Sequence, residues 1–386
     1  MKTTDSIYLD HAAATPVADF VLEAMLPYFS EKFYNPSSPY APAVNVRREY
    51  EDAKQRLAES FGAKGDELII TAGATESINL AFEQVSRHVV TSEIEHPAVL
   101  ESAKRREYSL AVPDPRGSIS PESIKALLRP DTELVSIALA NNELGTIQPL
   151  RKIAAIIEEE KASRREQGNT TPLLFHTDAS QGFGQIDVHV ARLGVDLLSL
   201  NAGKMYGPKQ VGLLWAKSST NLKAAIVGGG QERGIRSGTE NVGGVIGFAE
   251  AASWATSHIR GENRRLSELR NTLESKLLAT FSDAKVLGSK KHRLPGHLSI
   301  AFPGIDAERI IFLLENEGVY LSTGSACSAN KHTASHVLTA IGLDEEHMNG
   351  SLRITLGRHT TSDQIEQAAS KIARAIGSEY ERMGRL

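Results

Sequence analysis

The stretch Leu173-Leu174-Phe175-His176-Thr177-Asp178-Ala179-Ser180-Gln181 combines an apolar run with polar residues directly after it. The segment Asp196-Leu197-Leu198-Ser199-Leu200-Asn201-Ala202-Gly203-Lys204 repeats this arrangement. Short, near-continuously apolar runs are typical of strands that are covered on both faces. Further runs of this kind are Glu67–Thr71, His88–Thr91, Glu133–Leu139 and Val211–Trp215. Because helical stretches separate most of these runs, the sequence predicts an α/β fold with a mostly parallel sheet.

The helical stretches are recognised by their spacing and by their end signals. Residues Val46–Phe61 place apolar side chains three and four positions apart, and Gly62 follows as a stop. Ser120-Pro121 predicts the start of another helix, because serine is a good N-cap and proline suits the first helical position.

The pattern changes after about Ser257. A charged helical stretch at Asn263–Thr280 is followed by predicted strands and helices, which are His297–Phe302, Asp306–Glu317, Ser351–Leu356 and Thr361–Ile376. We therefore predict a large domain over residues 16–255 and a smaller α+β domain from residues 1–15 and 256–386, with a long helix bridging the two parts.

Composition excludes several classes of function. The chain of 386 residues has a net charge of −4, which gives no basic surface for nucleic acid or for an anionic membrane. It contains no apolar run long enough to span a bilayer and no secretory signal at its start, so we expect a cytoplasmic protein. The single cysteine, Cys327, rules out an internal disulfide and a multi-cysteine metal site, and no bound metal is expected.

Two segments have the composition of anion-binding loops. Thr71–Ser77, which includes Ala74 and Thr75, follows a predicted strand and opens a helix, whose free N–H groups attract an anion. Gly228–Asn241 is rich in glycine and contains Thr239 near its end. An ordinary helix cap and a flexible connection remain alternative interpretations of these two segments.

Asp178 and Lys204 lie at the ends of predicted strands, 26 positions apart. Open α/β sheets bind ligands at the carboxyl ends of their strands. A carboxylate there suits the ring nitrogen of pyridoxal phosphate (PLP), and a poorly hydrated lysine suits a Schiff base with its aldehyde. The alternatives are an aspartate that caps a turn and a solvated surface lysine, but the pairing favours a PLP site on Lys204.

Eight motifs, in order along the chain, resemble those of cysteine desulfurases, in the branch that builds iron–sulfur clusters. They are Tyr8–Pro16, Asn35–Ser38, Gly73–Ser77, Glu95-His96, Asn141–Gly145, His176–Gln181, Arg236–Thr239 and Gly324–Cys327. The resemblance covers nearly the whole chain, from Tyr8 to about Ile376. It implies a fold-type I PLP-dependent transferase of the class V aminotransferase-like group, which acts as a homodimer.

The resemblance assigns the residues around the PLP ring. Lys204 would form the Schiff base, Asp178 would pair with the ring nitrogen, and His96 would stack on the ring and act in catalysis. Gln181 and Asn142 would contact the edge that carries the phenolic oxygen.

The resemblance also assigns the phosphate end of the cofactor. Ala74 and Thr75 would bind the phosphate from the same subunit, and Thr239 would bind it from the neighbouring one. Asn201 and Gly203 occupy positions where the family usually has a serine and a histidine that contact the phosphate. These two departures make the phosphate end the least typical part of the site. Tyr40 is a third departure, because a histidine usually follows the Asn35–Ser38 motif.

The remaining assignments concern the substrate, L-cysteine. Arg353 would hold its carboxylate, a task that suits a guanidinium, and Asn35 would also contact the substrate. Cys327, which lies in a polar Gly/Ser-rich run, would take the sulfur as a persulfide and pass it to an acceptor or iron–sulfur scaffold protein. The alternatives are another fold-type I enzyme (an aminotransferase, a lyase or a selenocysteine lyase) in which Cys327 is not the acceptor, and a non-catalytic relative.

Overall fold

The computed structural model of the protein describes residues 6–323 and 335–385. Its strands are β1 (Ile7–Tyr8), β2 (Leu68–Thr71), β3 (His88–Ser92), β4 (Tyr108–Ala111), β5 (Thr132–Ser136), β6 (Leu174–Asp178), β7 (Leu197–Asn201), β8 (Gly212–Ala216), β9 (Lys285–Leu287), β10 (His297–Ala301), β11 (Val319–Tyr320) and β12 (Ser351–Thr355). Its α-helices are α1 (Asp19–Met25), α2 (Pro27–Ser30), α3 (Ala41–Glu59), α4 (Ala74–Phe82), α5 (Pro97–Ala103), α6 (Pro121–Leu127), α7 (Leu150–Glu166), α8 (Val190–Leu193), α9 (Val242–Thr280), α10 (Ala307–Asn316), α11 (His336–Ala340), α12 (Glu345–Asn349) and α13 (Ser362–Arg382).

The main sheet has the order β2-β8-β7-β6-β5-β3-β4. Strand β8 pairs antiparallel with both β2 and β7, and the pairs from β7 through β4 are parallel. The predicted mostly parallel sheet is confirmed, and each of its six predicted strands begins within one residue of the expected position. Strands β2, β3, β5 and β8 are buried along their whole length, as helices on both faces require.

A second group of elements surrounds a three-stranded antiparallel sheet of order β12-β10-β9. Its apolar core draws on Ile7, Leu9 and side chains between residues 266 and 380, including those of α10 and α13. The first strand of the chain joins this group, because β1 pairs in parallel with β11. The division into residues 16–255 and residues 1–15 with 256–386 stays a prediction that this arrangement supports.

Two helices begin earlier than the sequence interpretation placed them. The predicted helix at Asn263–Thr280 is the second half of α9, a single helix of 39 residues that spans the expected boundary near residue 256, as the predicted bridging helix does. Helix α3 begins at Ala41 rather than Val46, with Pro42 in its first turn, where the missing N–H of proline costs nothing.

Within residues 6–323 and 335–385, no helix combines the length and the apolar character that crossing a bilayer requires.

The sheet topology brings the predicted motifs to one edge. Strands β2, β3, β5, β6 and β7 all run in the same direction, because β8 alone reverses between β7 and β2. Their carboxyl ends therefore lie side by side, and the residues that follow them are neighbours in space.

Candidate active site

A cavity of about 790 Å³, here called the main cavity, lies at the carboxyl edge of the large sheet. The sequence-predicted site residues that line it are Ala74, Thr75, His96, Asn142, Asp178, Gln181, Asn201, Lys204 and Arg353. A second cavity of about 530 Å³ shares Ala74, Thr75, Asn201 and Lys204 with it and adds Gly203. The structure thus brings these residues, which the sequence spreads over nearly 300 positions, to one place.

Lys204 lies between the two cavities, at the end of a short 3-10 turn that follows β7. Its Nζ donates hydrogen bonds to the carbonyl oxygens of Ala12 and Ala13, at 2.7 and 2.8 Å. The backbone of Ala12 and Ala13 thereby holds the Lys204 amine at the cavity wall. An amine that is half-buried and positioned by carbonyl groups is suitable for covalent attachment of a carbonyl compound.

Asp178 is the last residue of β6 and faces the main cavity. Its Oδ1 accepts the backbone N–H of Ser180 at 3.0 Å, which fixes the carboxylate. The buried hydroxyls of Thr177 and Ser180 have no hydrogen-bond partner among the described residues, and Ser180 lines the main cavity. Buried polar atoms usually have a partner, so a polar group of a bound cofactor would satisfy this edge of the cavity.

His96 is the N-cap of α5, and its Nδ1 accepts the backbone N–H of Ala98 at 3.0 Å. Nδ1 therefore carries no proton in this arrangement, and a neutral ring has its proton on Nε2. Burial lowers the pKa of His96; the Asp178 carboxylate opposes this shift, while Lys204 and His336 add to it. A neutral imidazole at the cavity wall is suitable for stacking on an aromatic ring.

The segment between β2 and α4 has a backbone geometry that is suitable for binding an anion. Gly73 has a φ of 146°, which glycine tolerates and other residues rarely adopt. A Cβ at Gly212 would lie 2.6 Å from Gly73, so the two backbones approach closely. Helix α4 then begins at Ala74, its first N–H groups lack partners within the helix, and Ala74 and Thr75 line the second cavity.

The departures at Asn201 and Gly203 have local structural consequences. The Oδ1 of Asn201 accepts the backbone N–H of Gly203 at 3.0 Å and so caps the short turn that ends at Lys204. A Cβ at Gly203 would meet its nearest atoms, in Asn201 and Lys209, at 3.4 and 3.6 Å, which is ordinary contact. Lys209 lines the second cavity and adds a cationic side chain that sequence analysis did not single out.

Arg353 projects from β12 into the main cavity and is buried. Its Nη2 donates to Asp10 at 2.7 Å, and its Nη1 donates to the carbonyl oxygen of Asn142 at 3.3 Å. These contacts hold the guanidinium plane in place beside the cavity. A fixed guanidinium is suitable for binding the carboxylate of an amino acid.

Three further groups at this site received no role from the sequence, although Glu95 and Glu143 stand within its motifs. Burial raises the pKa of Glu95 to about 7, although Ser92 and the Ala138 N–H donate hydrogen bonds to it. Burial also raises the pKa of Glu143, which accepts a hydrogen bond from Ser335 at 2.5 Å. His336 lines the main cavity, and its Nε2 contacts the carbonyl oxygen of Glu95 at 3.0 Å.

The remaining predicted site residues are Gln181, Asn35, Thr239 and Cys327. Gln181 donates its Nε2 to the carbonyl oxygen of Ala12 at 3.1 Å. Asn35 and Thr239 are exposed and line neither cavity of their own chain. Cys327 lies outside the described residues.

Residues 7–368 match the class V aminotransferase family. The cysteine desulfurase IscS of Dictyoglomus turgidum is 40% identical over 382 residues, with 96% of this chain and 94% of that protein covered. The cysteine desulfurase IscS of Methanosarcina thermophila is 37% identical, with 96% and 92% covered.

Solved structures give the same result for the fold. A NifS-like protein superposes with a TM-score of 0.87 at 33% identity, with 96% of this chain and 99% of that chain covered. A structure described as SspA in complex with cysteine has a TM-score of 0.77 at 32% identity, with 92% and 100% covered. By sequence and by fold, this chain belongs to the class V aminotransferases and, within them, to the cysteine desulfurase family.

Proposed function

We propose that this chain is a PLP-dependent cysteine desulfurase that converts L-cysteine to L-alanine and holds the sulfur as a persulfide on Cys327. The sulfur would then pass to an acceptor or scaffold protein of iron–sulfur cluster assembly in the cytoplasm. The observation that carries this proposal is the single cavity in which Lys204, Asp178, His96 and Arg353 meet. Family membership supports the same reaction.

The described residues fit PLP at three points. Lys204 would hold its aldehyde carbon, Asp178 would keep the ring nitrogen protonated, and the first turn of α4 with Thr75 would bind the phosphate. The neutral imidazole of His96 would cover the ring, and Ser180 offers a hydroxyl at the same wall. When bound there, PLP supplies an electron sink that makes the Cα proton of an amino acid acidic.

The chain's own groups would then position and deprotonate the substrate. Arg353, fixed by Asp10 and the Asn142 carbonyl, would hold the substrate carboxylate and so orient its Cα. The Lys204 amine would take the proton from Cα as general base. The carbonyls of Ala12 and Ala13, which hold Lys204, would keep the amine close to this position.

Sulfur transfer would be the task of Cys327. Its thiolate would attack the substrate sulfur, so that an S–S bond forms as the bond from sulfur to Cβ breaks. The electron pair of the broken bond would go to Cβ, which takes up a proton and becomes the methyl group of alanine. No external oxidant is needed, because the Cβ carbon is reduced as the sulfur is oxidised to the persulfide level.

We further infer that two copies of the chain form the working enzyme. Around Asn35, large apolar side chains are exposed on α1, α2 and the following loop, and these are Leu22, Leu26, Phe29, Phe33 and Tyr40. Near Thr239, Val227 is 82% exposed. Exposed apolar side chains grouped in this way are typical of protein–protein interfaces, and a homodimer would bring Asn35 and Thr239 to a neighbouring cavity.

Two variants test the reaction. Cys327→Ala should keep PLP on Lys204 but lose alanine release from L-cysteine by orders of magnitude, because the only thiol of the chain is removed. Lys204→Ala should retain the fold and lose the PLP that borohydride fixes to the protein. Near-normal alanine release by Cys327→Ala would exclude the persulfide mechanism, and borohydride-fixed PLP in Lys204→Ala would place the cofactor on another lysine.

A further inference from the structure

The glycine-rich loop that presents Thr239 is attached to the same chain's own phosphate-binding segment. Here the loop is defined as residues 228–241, and the segment as β2 with the first turn of α4. Thr75 lies in that segment, whereas the proposed function gives Thr239 to the neighbouring subunit's cofactor. The two phosphate contacts of one chain would therefore serve two different active sites.

One attachment is a buried cluster around Glu232. This side chain accepts hydrogen bonds from Tyr50 at 2.5 Å, from Lys54 at 3.1 Å and from the backbone N–H of Ile70 in β2 at 2.8 Å. The side chains of Lys54 and Glu232 are only 6% and 5% exposed. Glu232 and Arg233 also have positive φ values of 47° and 63°, so the cluster holds a backbone conformation that is otherwise unfavourable.

The other attachment is an ion pair between Arg236 and Glu76. The Nε of Arg236 donates to Glu76 Oε1 at 2.8 Å, and Oε2 of the same carboxylate accepts the Ala72 N–H at 2.7 Å. Glu76 directly follows Thr75 in the first turn of α4, and Arg236 is three positions before Thr239. Both side chains are about one-quarter exposed, so water weakens this pair less than a fully exposed one.

Resting on the proposed function, we propose that the Glu76–Arg236 ion pair positions Thr239 for the partner subunit's PLP phosphate, and so couples the two active sites of a homodimer. Glu76 and Arg236 are positioning residues in this scheme, because they act through Thr239. The coupling has a direction: a change at Glu76 of one chain is felt mainly at the cofactor of the other chain.

Hybrid dimers test this direction. The reporting subunit keeps Lys204, and its covalently bound PLP is measured. The non-reporting subunit carries Lys204→Ala and cannot bind PLP covalently. A different affinity tag on each subunit allows the mixed dimer to be isolated. The reporting site then takes Thr75 from its own subunit and Thr239 from the other. The readout is the fraction of Lys204 that borohydride fixes to PLP after increasing times of dialysis.

Glu76→Gln in the non-reporting subunit should make PLP leave the reporting subunit about fivefold faster, because glutamine keeps an acceptor for Ala72 but loses the charge that holds Arg236. The same substitution in the reporting subunit, where Glu76 lines the second cavity, should speed PLP loss less than it does in the non-reporting subunit. Glu83→Gln in the non-reporting subunit is the matched control, since Glu83 follows the same helix, pairs with exposed Arg105 and with Arg106, and lines neither cavity. It should change nothing.

Thr239→Ala in the non-reporting subunit tests the phosphate contact of Thr239 separately from its positioning by the ion pair. It should also speed PLP loss from the reporting subunit. If it has no effect, the assignment of Thr239 in the proposed function is wrong, and the coupling falls with it. If Thr239→Ala acts but Glu76→Gln does not, or if Glu76→Gln acts equally in either subunit, the ion pair has only a local role and the coupling alone is overturned.

Discussion

Replacing Glu95 by glutamine should change how the stability of the protein depends on pH. Glu95 is buried beside the active site, and burial raises its pKa to about 7, against 4.5 for an ordinary glutamate. Its Oε1 accepts a hydrogen bond from Ser92 at 2.7 Å, and both carboxyl oxygens lie 3.1 Å from the Ala138 nitrogen.

The sign follows from the protons bound in each state. Between pH 4.5 and 7 the folded protein keeps a proton on Glu95 that the unfolded chain has already lost. Stability falls with rising pH wherever the folded state binds more protons. The neutral Glu95 carboxyl group therefore makes its full contribution to the free energy of unfolding below pH 4.5. This contribution is lost as the pH rises from 4.5 through 7.

The magnitude follows from the size of the shift. About two and a half pH units at about 1.4 kcal/mol per unit give a loss of about 3.5 kcal/mol between pH 4.5 and pH 8. Glutamine is neutral at every pH in this range and keeps one acceptor oxygen. Its NH2 group replaces the second carboxyl oxygen, and the free-energy cost of this replacement does not vary with pH. Relative to the wild type, Glu95→Gln should thus gain about 2 to 3 kcal/mol of stability between pH 5 and pH 8.

The assay is urea unfolding of the holoenzyme at fixed protein and PLP concentrations, at several values between pH 5 and pH 8. The quantity compared is the difference between variant and wild type at each pH, which removes the pH dependence of all other groups. Glu159→Gln on α7 is the control, because Glu159 is exposed, pairs with exposed Lys125 and lines neither cavity. A wild-type-to-Gln difference that stays constant from pH 5 to pH 8 would refute the burial argument.

Two further predictions concern the ends of the site. Gly203→His should slow PLP loss on dialysis about two- to fivefold, because the space at Gly203 admits a Cβ at ordinary contact distance and the imidazole adds a hydrogen-bond donor for the phosphate. Unchanged loss would mean that other groups already satisfy the phosphate oxygens. Arg353→Lys should raise KM for L-cysteine about tenfold or more while PLP content stays the same, because lysine keeps the charge but cannot form the two-pronged contact; an unchanged KM, measured from alanine release, would remove Arg353 from substrate binding.

The large sheet could be predicted because its buried strands have a clear signature. Strand β6, for example, begins within the apolar run Leu173–Phe175, and Asp178 marks its end. Strand β4 was missed because Tyr108–Ala111 lies at the sheet edge and is half exposed, so its pattern is weak. The reversed direction of β8 could not be read from its sequence, because a buried strand looks the same whether its neighbours are parallel or antiparallel.

Only part of the candidate site could be predicted, because only some of its residues lie beside recognisable strands. Asp178 and Lys204 stand at the ends of predicted strands, where their position indicates a common edge, and the resemblance to cysteine desulfurases added His96. Asp10 and His336 come from the two distant ends of the chain, and their places beside Arg353 and His96 depend on tertiary packing alone. Local sequence carries no signal for such contacts.

The phosphate end explains why a departure from a family pattern need not disturb the fit of the whole site. Where a histidine is usual, Gly203 leaves space that is bordered by Asn201 and by the stem of Lys209. The side chain of Asn201 is already engaged in capping the turn before Lys204, so its acceptor holds the backbone rather than a ligand. Lys209 retains a cation beside the second cavity. We therefore expect charge at this end of the site to depend on Lys209, and geometry to depend on the backbone N–H groups of α4, so that the loss of one histidine weakens PLP retention without preventing it.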